Sequence, residues 1–202
     1  MTLNKLSLNV LVISAGSVGV VHLPSYLPAL KQQDWSVKCI LTPAAAGLIM
    51  PSTVAAYVDT FVDDQSWGAS VARVPHMDLA HWADCGIVLP ATADIIGQVA
   101  CGLAPNLATT TILACAKPLL FFPNMEESMA RKPAFGRNLE RLQSDGYYVH
   151  TEWRKSYSVG LNRDVYSHGM PPPNVVVDEI REVMQSALKG GDTDARGRAG
   201  VR

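Results

Sequence analysis

An imidazole titrates near neutral pH, so histidine is the side chain best suited to take up or release a proton under ordinary conditions. Two stand close together in Pro75-His76-Met77-Asp78-Leu79-Ala80-His81-Trp82-Ala83-Asp84. Residue type alone does not choose between His76 and His81 as a base, and either also reads as a hydrogen-bonded structural histidine. A second stretch is Ala15-Gly16-Ser17-Val18-Gly19. A tight turn that opens a helix offers unpaired backbone N–H groups and a hydroxyl, which suit a phosphate. No Gly-Lys-Ser/Thr follows it and it is not G-x-G-x-x-G, so an ordinary strand-to-helix turn fits equally well. In Pro90-Ala91-Thr92-Ala93-Asp94-Ile95-Ile96-Gly97 the small residues let a flat ring approach the backbone, and Thr92 can cap the next helix. Pro123-Asn124-Met125-Glu126-Glu127-Ser128-Met129 places polar residues and two methionines at a strand end, where they could hold a substrate or start a helix on the surface. The four cysteines, Cys39, Cys85, Cys101 and Cys115, form no C-x-x-C pair. They read as small buried apolar residues, with no disulfide framework and no metal site expected.

Alternating elements must position these residues. Leu8 to Ser14, Ser36 to Thr42, Asp84 to Leu89 and Pro118 to Phe122 are apolar runs that read as buried strands, and Tyr147 to His150 as a short one. Helices are expected from about Val20 to Lys31 with breaks at Pro24 and Pro28, over Ala44 to Met50, over Thr92 to Leu103, from about Ala134 to Ser144 with Gly146 closing it, and over Asn174 to Leu188. The polar, Gly-rich stretch from Lys189 is expected to be disordered. Fully apolar strands alternating with helices predict a parallel sheet covered on both faces: an α/β, doubly wound, Rossmann- or flavodoxin-like three-layer sandwich. A ligand would lie beyond the carboxyl ends of its strands, near Gly16-Ser17, Thr42-Pro43-Ala44 and Ala91 to Asp94.

Lys and Arg number 17 against 18 Asp and Glu. That balance argues against a nucleic-acid binder and against an acidic-tail protein. At 48% hydrophobic residues the chain can bury a core and is not disordered as a whole. No apolar run is long enough for a membrane span. Met1 to Asn9 reads as the start of a domain rather than a signal peptide. A cytoplasmic location is the expectation.

Taken in this order, the stretches resemble the homo-oligomeric flavin-containing cysteine decarboxylases. That family includes phosphopantothenoylcysteine decarboxylase and the peptidyl-cysteine decarboxylases of lanthipeptide biosynthesis. The resemblance spans roughly residues 8 to 188. It is strongest from Pro75 to Thr111, which matches the family's H-x-x-L-x-x-W-A-D, P-[AL]-[ST]-A-[ND] and D-N-L-x-[ST]-T series. It implies that His76, not His81, is the active-site base. It places Gly16, Ser17 and Val18 on one flavin-phosphate loop and Thr42 and Ala44 on a second. It places Ala91, Thr92, Ala93, Asp94, Ile95 and Thr109 around the flavin, and it recasts Asn106 to Ala114 as a helix. It also implies FMN, or FAD as in some peptide enzymes, and trimers that often assemble further into dodecamers. In such trimers the flavin lies near an interface, so His76 would serve flavin held mainly by a neighbour.

The resemblance assigns substrate contacts to Asn124, Met125, Glu126, His168 and Met170, with residues 151 to 173 as a substrate flap. The family's P-x-M-N stands here as Pro123-Asn124-Met125-Glu126. A carboxylate in place of that Asn repels a substrate carboxylate unless it is protonated or turned away, and Asn124 would then share its task. The run Trp153-Arg154-Lys155-Ser156-Tyr157 reads either as a contact for a peptide or as an exposed loop. The coenzyme A pathway enzyme uses a flap cysteine to complete a reductive step. This chain has no Cys after Cys115 and carries Gly169-Met170-Pro171 instead, as the peptide enzymes do. Oxidative decarboxylation of a precursor peptide's C-terminal cysteine, giving an enethiol for an aminovinyl-cysteine ring, is therefore the expected activity. Phosphopantothenoylcysteine decarboxylation and a non-catalytic, flavin-binding regulatory role are the alternatives. No fused ligase domain is expected.

Overall fold

A computed structural model of the protein describes residues 7–62, 74–158 and 160–197. Six strands form one parallel sheet: β1 (Asn9–Ser14), β2 (Ser36–Leu41), β3 (Asp59–Val62), β4 (Cys85–Ala91), β5 (Leu119–Pro123) and β6 (Tyr148–Val149). They lie in the order β3-β2-β1-β4-β5-β6, the doubly wound arrangement that the sequence predicts. A separate antiparallel hairpin pairs β7 (Arg154–Ser158) with β8 (Arg163–Ser167).

Strand side chains alternate between faces, and each face has its own core. Val10, Val12, Ile87, Leu89, Leu120 and Phe122 pack on one side with α1 (Leu23–Lys31) and α9 (Pro173–Gly197). Leu11, Ile13, Val88, Leu119 and Phe121 pack on the other. That second side is covered by α4 (Pro75–Trp82), α5 (Ala93–Ala100), α6 (Leu107–Ala114) and α8 (Pro133–Ser144). Phe121 and Phe122 are both fully buried, on opposite faces. Each such side chain contributes roughly 1.5–3 kcal/mol through removal from water.

Several boundaries depart from the sequence reading. The expected helix from Val20 divides into a 3₁₀ turn (Val18–His22) and α1. Pro24 lies in the first turn of α1, where no backbone N–H is needed, and Pro28 lies inside it. The expected helix from Ala44 to Met50 is instead α2 (Pro43–Ala46), capped at Gly47, and α3 (Pro51–Ala55), which Pro51 starts afresh. α5 ends before Leu103 because Gly102 turns into the left-handed region. α9 continues to Gly197, past Leu188, so the stretch from Lys189 is helical that far. Residues 198–202 of the expected tail, like 1–6 at the start, lie outside the described residues. The edge strand β3 and the β7–β8 hairpin have no counterpart in the sequence reading. α7 (Glu127–Ala130) is a single short turn. Among the described residues no helix is long and apolar enough to cross a membrane.

Candidate active site

Strand order reverses between β1 and β4, and two cavities open beyond their carboxyl ends. The larger, about 960 Å³, is walled by residues 16–19, 92–94, 124–126, 154–158 and 168–172, with Tyr26 and Val165. The smaller, about 310 Å³, is walled by residues 15–16, 42–44, 94–95 and Thr92, with Gln98 and Asn106. Gly16, Thr92 and Asp94 belong to both.

The smaller cavity gathers the starts of helices. Thr42 caps α2 by accepting from Ala45 N at 3.3 Å, and Thr92 caps α5 by accepting from Ile95 N at 3.3 Å. Asn106 caps α6 by accepting from Thr109 N at 2.9 Å. Backbone N–H groups at such starts, with the helix dipole behind them, favour an anion. Gly16 fits this cradle only because it lacks a side chain: a Cβ there would lie 2.4 Å from Ala44 Cβ. Small residues, helix starts and a tight glycine are what a flavin phosphate and ring edge require, so the residues present fit FMN.

Pro123–Glu126 links this cradle to the hairpin. Asn124 N donates to Ala91 O at 2.9 Å. Asn124 Oδ1 accepts from Ser17 Oγ, and Asn124 Nδ2 donates to His168 O at 3.3 Å. Met125 N also donates to His168 O, at 3.2 Å, and Ser167 Oγ donates to Met125 O at 2.6 Å. Gly19 lets the chain pass here, since a Cβ would lie 2.8 Å from Asn124 Oδ1 and 2.9 Å from Met170 Cγ. Glu126 Oε1 accepts from Ser158 Oγ at 2.6 Å. Its carboxylate is thus engaged by the hairpin as well as lining the larger cavity.

His168 is 4% exposed, with its ring against Trp153 (centroids 5.2 Å apart) and Phe135 (5.7 Å). Burial pushes its pKa below the ordinary histidine value; nearby His150 adds to this and a backbone hydrogen bond at Glu152 opposes it. His150 Nδ1 is 2.5 Å from Glu179 Oε1 of α9. Burial also pushes the Cys39 and Cys85 thiols up to about 12, leaving them little thiolate near neutral pH.

A family model described as Flavoprotein matches residues 2–185. The chain belongs to the Flavoprotein family. This flavoprotein is 37% identical to mersacidin decarboxylase of Bacillus sp. (strain HIL-Y85/54728), over 66% of its own length and 68% of the relative's. It is 37% identical to the coenzyme A biosynthesis bifunctional protein CoaBC of Bacillus subtilis (strain 168) over 69% of its length, but spans only 34% of CoaBC. Among solved structures, SpaF, described as an FMN-dependent cysteine decarboxylase, superposes with a TM-score of 0.75 at 26% identity, covering 91% of this chain and 99% of SpaF.

The flavoprotein's geometry brings together most of the residues expected from sequence. Gly16, Ser17, Val18, Thr42, Ala44, Thr92, Ala93, Asp94 and Ile95 line one cavity or both, and Asn124, Met125, Glu126, His168 and Met170 line the larger. Three stand apart. Ala91 is buried in β4 and reaches neither cavity, while its carbonyl holds Asn124. Thr109 is fully buried, its hydroxyl bonded to Asn106 Oδ1 at 2.7 Å, so Asn106 rather than Thr109 faces the cradle. His76, at the start of α4, is half-buried and lines neither cavity of its own chain. Sequence reasoning missed Tyr26, whose OH donates to Pro171 O at 2.6 Å, because a tyrosine on an apolar helix face reads as core. It also missed Gln98, which donates to Asp94 one helical turn away at 3.0 Å.

Proposed function

We propose that the chain is a flavin-dependent peptidyl-cysteine decarboxylase, removing CO2 and two hydrogens from a peptide's C-terminal cysteine to leave an enethiol. The observation that carries this reading is the joint site: a cradle of helix starts that shares a wall with a larger, peptide-sized cavity closed by a hairpin. The similarity to mersacidin decarboxylase and SpaF supports it.

Loss of CO2 leaves an electron pair on the cysteine α-carbon, which nothing in an unmodified cysteine delocalises. Oxidising the β-carbon and sulfur to a thioaldehyde first provides the sink. FMN is the cofactor and, when bound, supplies the hydride acceptor this needs. Residues 16–18, 42–44 and 92–95 would hold it. Asn124, Met125, Met170 and the hairpin residues 154–158 bind and orient the peptide end and keep water from it. His76 takes the thiol proton. Because His76 lines neither cavity of its own chain, it serves the site of a neighbouring copy in a homo-oligomer, a trimer or a higher assembly. With no cysteine beyond Cys115 to supply the proton that a return of the hydride would need, the enethiol leaves two electrons more oxidised than a simple decarboxylation product, and a small oxidant such as dioxygen takes those electrons for each turnover.

The likeness to CoaBC favours phosphopantothenoylcysteine as a second substrate reading. Mass spectrometry on a peptide ending in cysteine, incubated with the FMN-loaded protein, decides between them. Loss of CO2 together with two hydrogens is expected. An unchanged peptide beside decarboxylated phosphopantothenoylcysteine would replace the first reading with the second. The His76→Asn variant should keep its flavin absorbance and lose turnover by at least about a hundredfold, the scale of general-base catalysis.

A further inference from the structure

Among the described residues, three polar atoms of residues walling the larger cavity are buried without a hydrogen bond: Glu126 Oε2, Arg154 Nε and His168 Nδ1. A buried polar atom left unpaired costs about 1–3 kcal/mol. Where such atoms belong to a ligand cavity, the ligand is the natural source of the missing partner. Glu126 is the most tightly oriented of the three. Ser158 Oγ donates to its Oε1 at 2.6 Å and is itself fixed by accepting from Leu161 N at 3.0 Å. One carboxylate oxygen is therefore anchored to the hairpin while the other is left over.

A left-over carboxylate oxygen calls for a donor. It repels a carboxylate and offers nothing to a carbonyl. In a peptide ending in cysteine, the donor nearest the reacting carbons is the N–H of the last peptide bond. Arg154 Nε–H supplies the complementary donor for a carbonyl, and a peptide bond carries one group of each kind. An asparagine at position 126 would present a donor as well as an acceptor, so it would not discriminate in this way.

We propose that Glu126 Oε2 accepts a hydrogen bond from the N–H of the substrate's terminal cysteine, which fixes that residue by its amide and turns its carboxylate away from Glu126. This rests on the reading of the chain as a peptidyl-cysteine decarboxylase. Glu126 then determines specificity: the terminal cysteine must be amide-linked.

The test uses two peptides ending in serine, which has no thiol to oxidise, titrated calorimetrically into the FMN-loaded protein. One has a normal last peptide bond. In the other an ester replaces it, keeping the carbonyl and losing the N–H. The ester is expected to weaken binding about tenfold in the unmodified protein and less than about twofold in Glu126→Ala. Ser158→Ala removes the donor that orients Glu126, so its ester penalty should fall between those of the unmodified protein and Glu126→Ala. An equal penalty in the unmodified protein and Glu126→Ala overturns the inference and leaves the decarboxylation reading standing. No binding of the amide peptide, with no mass change in its cysteine counterpart, overturns both.

Discussion

Gly16 has room for a hydrogen and nothing larger, because a methyl there meets Ala44 Cβ at 2.4 Å. Gly16→Ala should therefore spread the β1 and β2 loops at a cost of roughly 1–3 kcal/mol. The expected outcome is a folded protein with flavin affinity about ten- to a hundredfold weaker, read as a lower ratio of flavin to protein after gel filtration. His168 makes a second prediction at this scale. Its pKa is depressed in the folded chain, chiefly by burial, so the unfolded chain binds the proton more readily. Its contribution to stability is complete above the ordinary histidine value, about 6.5, and is lost as pH falls from there through the folded value. Thermal melts from about pH 7 down to about pH 5 should fall more steeply for the unmodified protein than for His168→Gln; parallel slopes would remove His168 from the acid response.

The hairpin is the element whose order depends most visibly on others. β7 alternates half-buried and exposed residues up to the buried Ser158, β8 buries only Val165 and Ser167, and their ends are tied down by Ser158 to Glu126, Ser167 to Met125 and the His168 carbonyl to Asn124 and Met125. Ser158→Ala removes one tie, worth about 1 kcal/mol. Limited proteolysis should then cut between β7 and β8 several times faster, while the sheet core stays intact. This dependence also explains what the sequence could disclose. The apolar runs at Val10 to Ile13, Ile87 to Leu89 and Leu119 to Phe122 carry their burial in their composition, so strands, order of layers and ligand edge were legible. β3 is a short, half-exposed edge strand with no such run. The hairpin's anchorage comes from Asn124, Met125 and Glu126, far away in the chain, which periodicity does not register. The cradle is legible only in part: Thr92 reads as a cap by its type, Thr42 enters through the resemblance, and Asn106, whose helix start lines the smaller cavity, is not singled out. Thr109 misled because the capping box turns its hydroxyl inward. The helix expected over Ala44 to Met50 stops early because Gly47 caps it after Ala46, and α3 begins at Pro51, whose missing N–H suits a first helical position.

For the whole molecule, the proposed function, with His76 lining neither cavity of its chain, calls for a division of labour between copies. Mixing two impaired variants, assayed at a flavin concentration too low to load Gly16→Ala, tests this: His76→Asn, which keeps the cradle, and Gly16→Ala, which keeps the histidine. Co-refolded or co-expressed, they should regain about a quarter to a half of the activity if His76 acts across an interface, the range set by how many mixed interfaces form. No recovery from assemblies shown to contain both chains would place His76 in its own chain's chemistry. The wall formed by Gly16, Thr92 and Asp94 has a consequence of another kind. Both chambers lean on the same three residues, so a cofactor that sets their positions would tighten the fit of the peptide. Whatever factor the resident cofactor adds to the hold on the visiting peptide, the peptide must return in full to the cofactor. The chain would then grip its flavin hardest while substrate is present and release it most readily when idle, so that supply of the peptide itself would govern how much of the protein stays loaded.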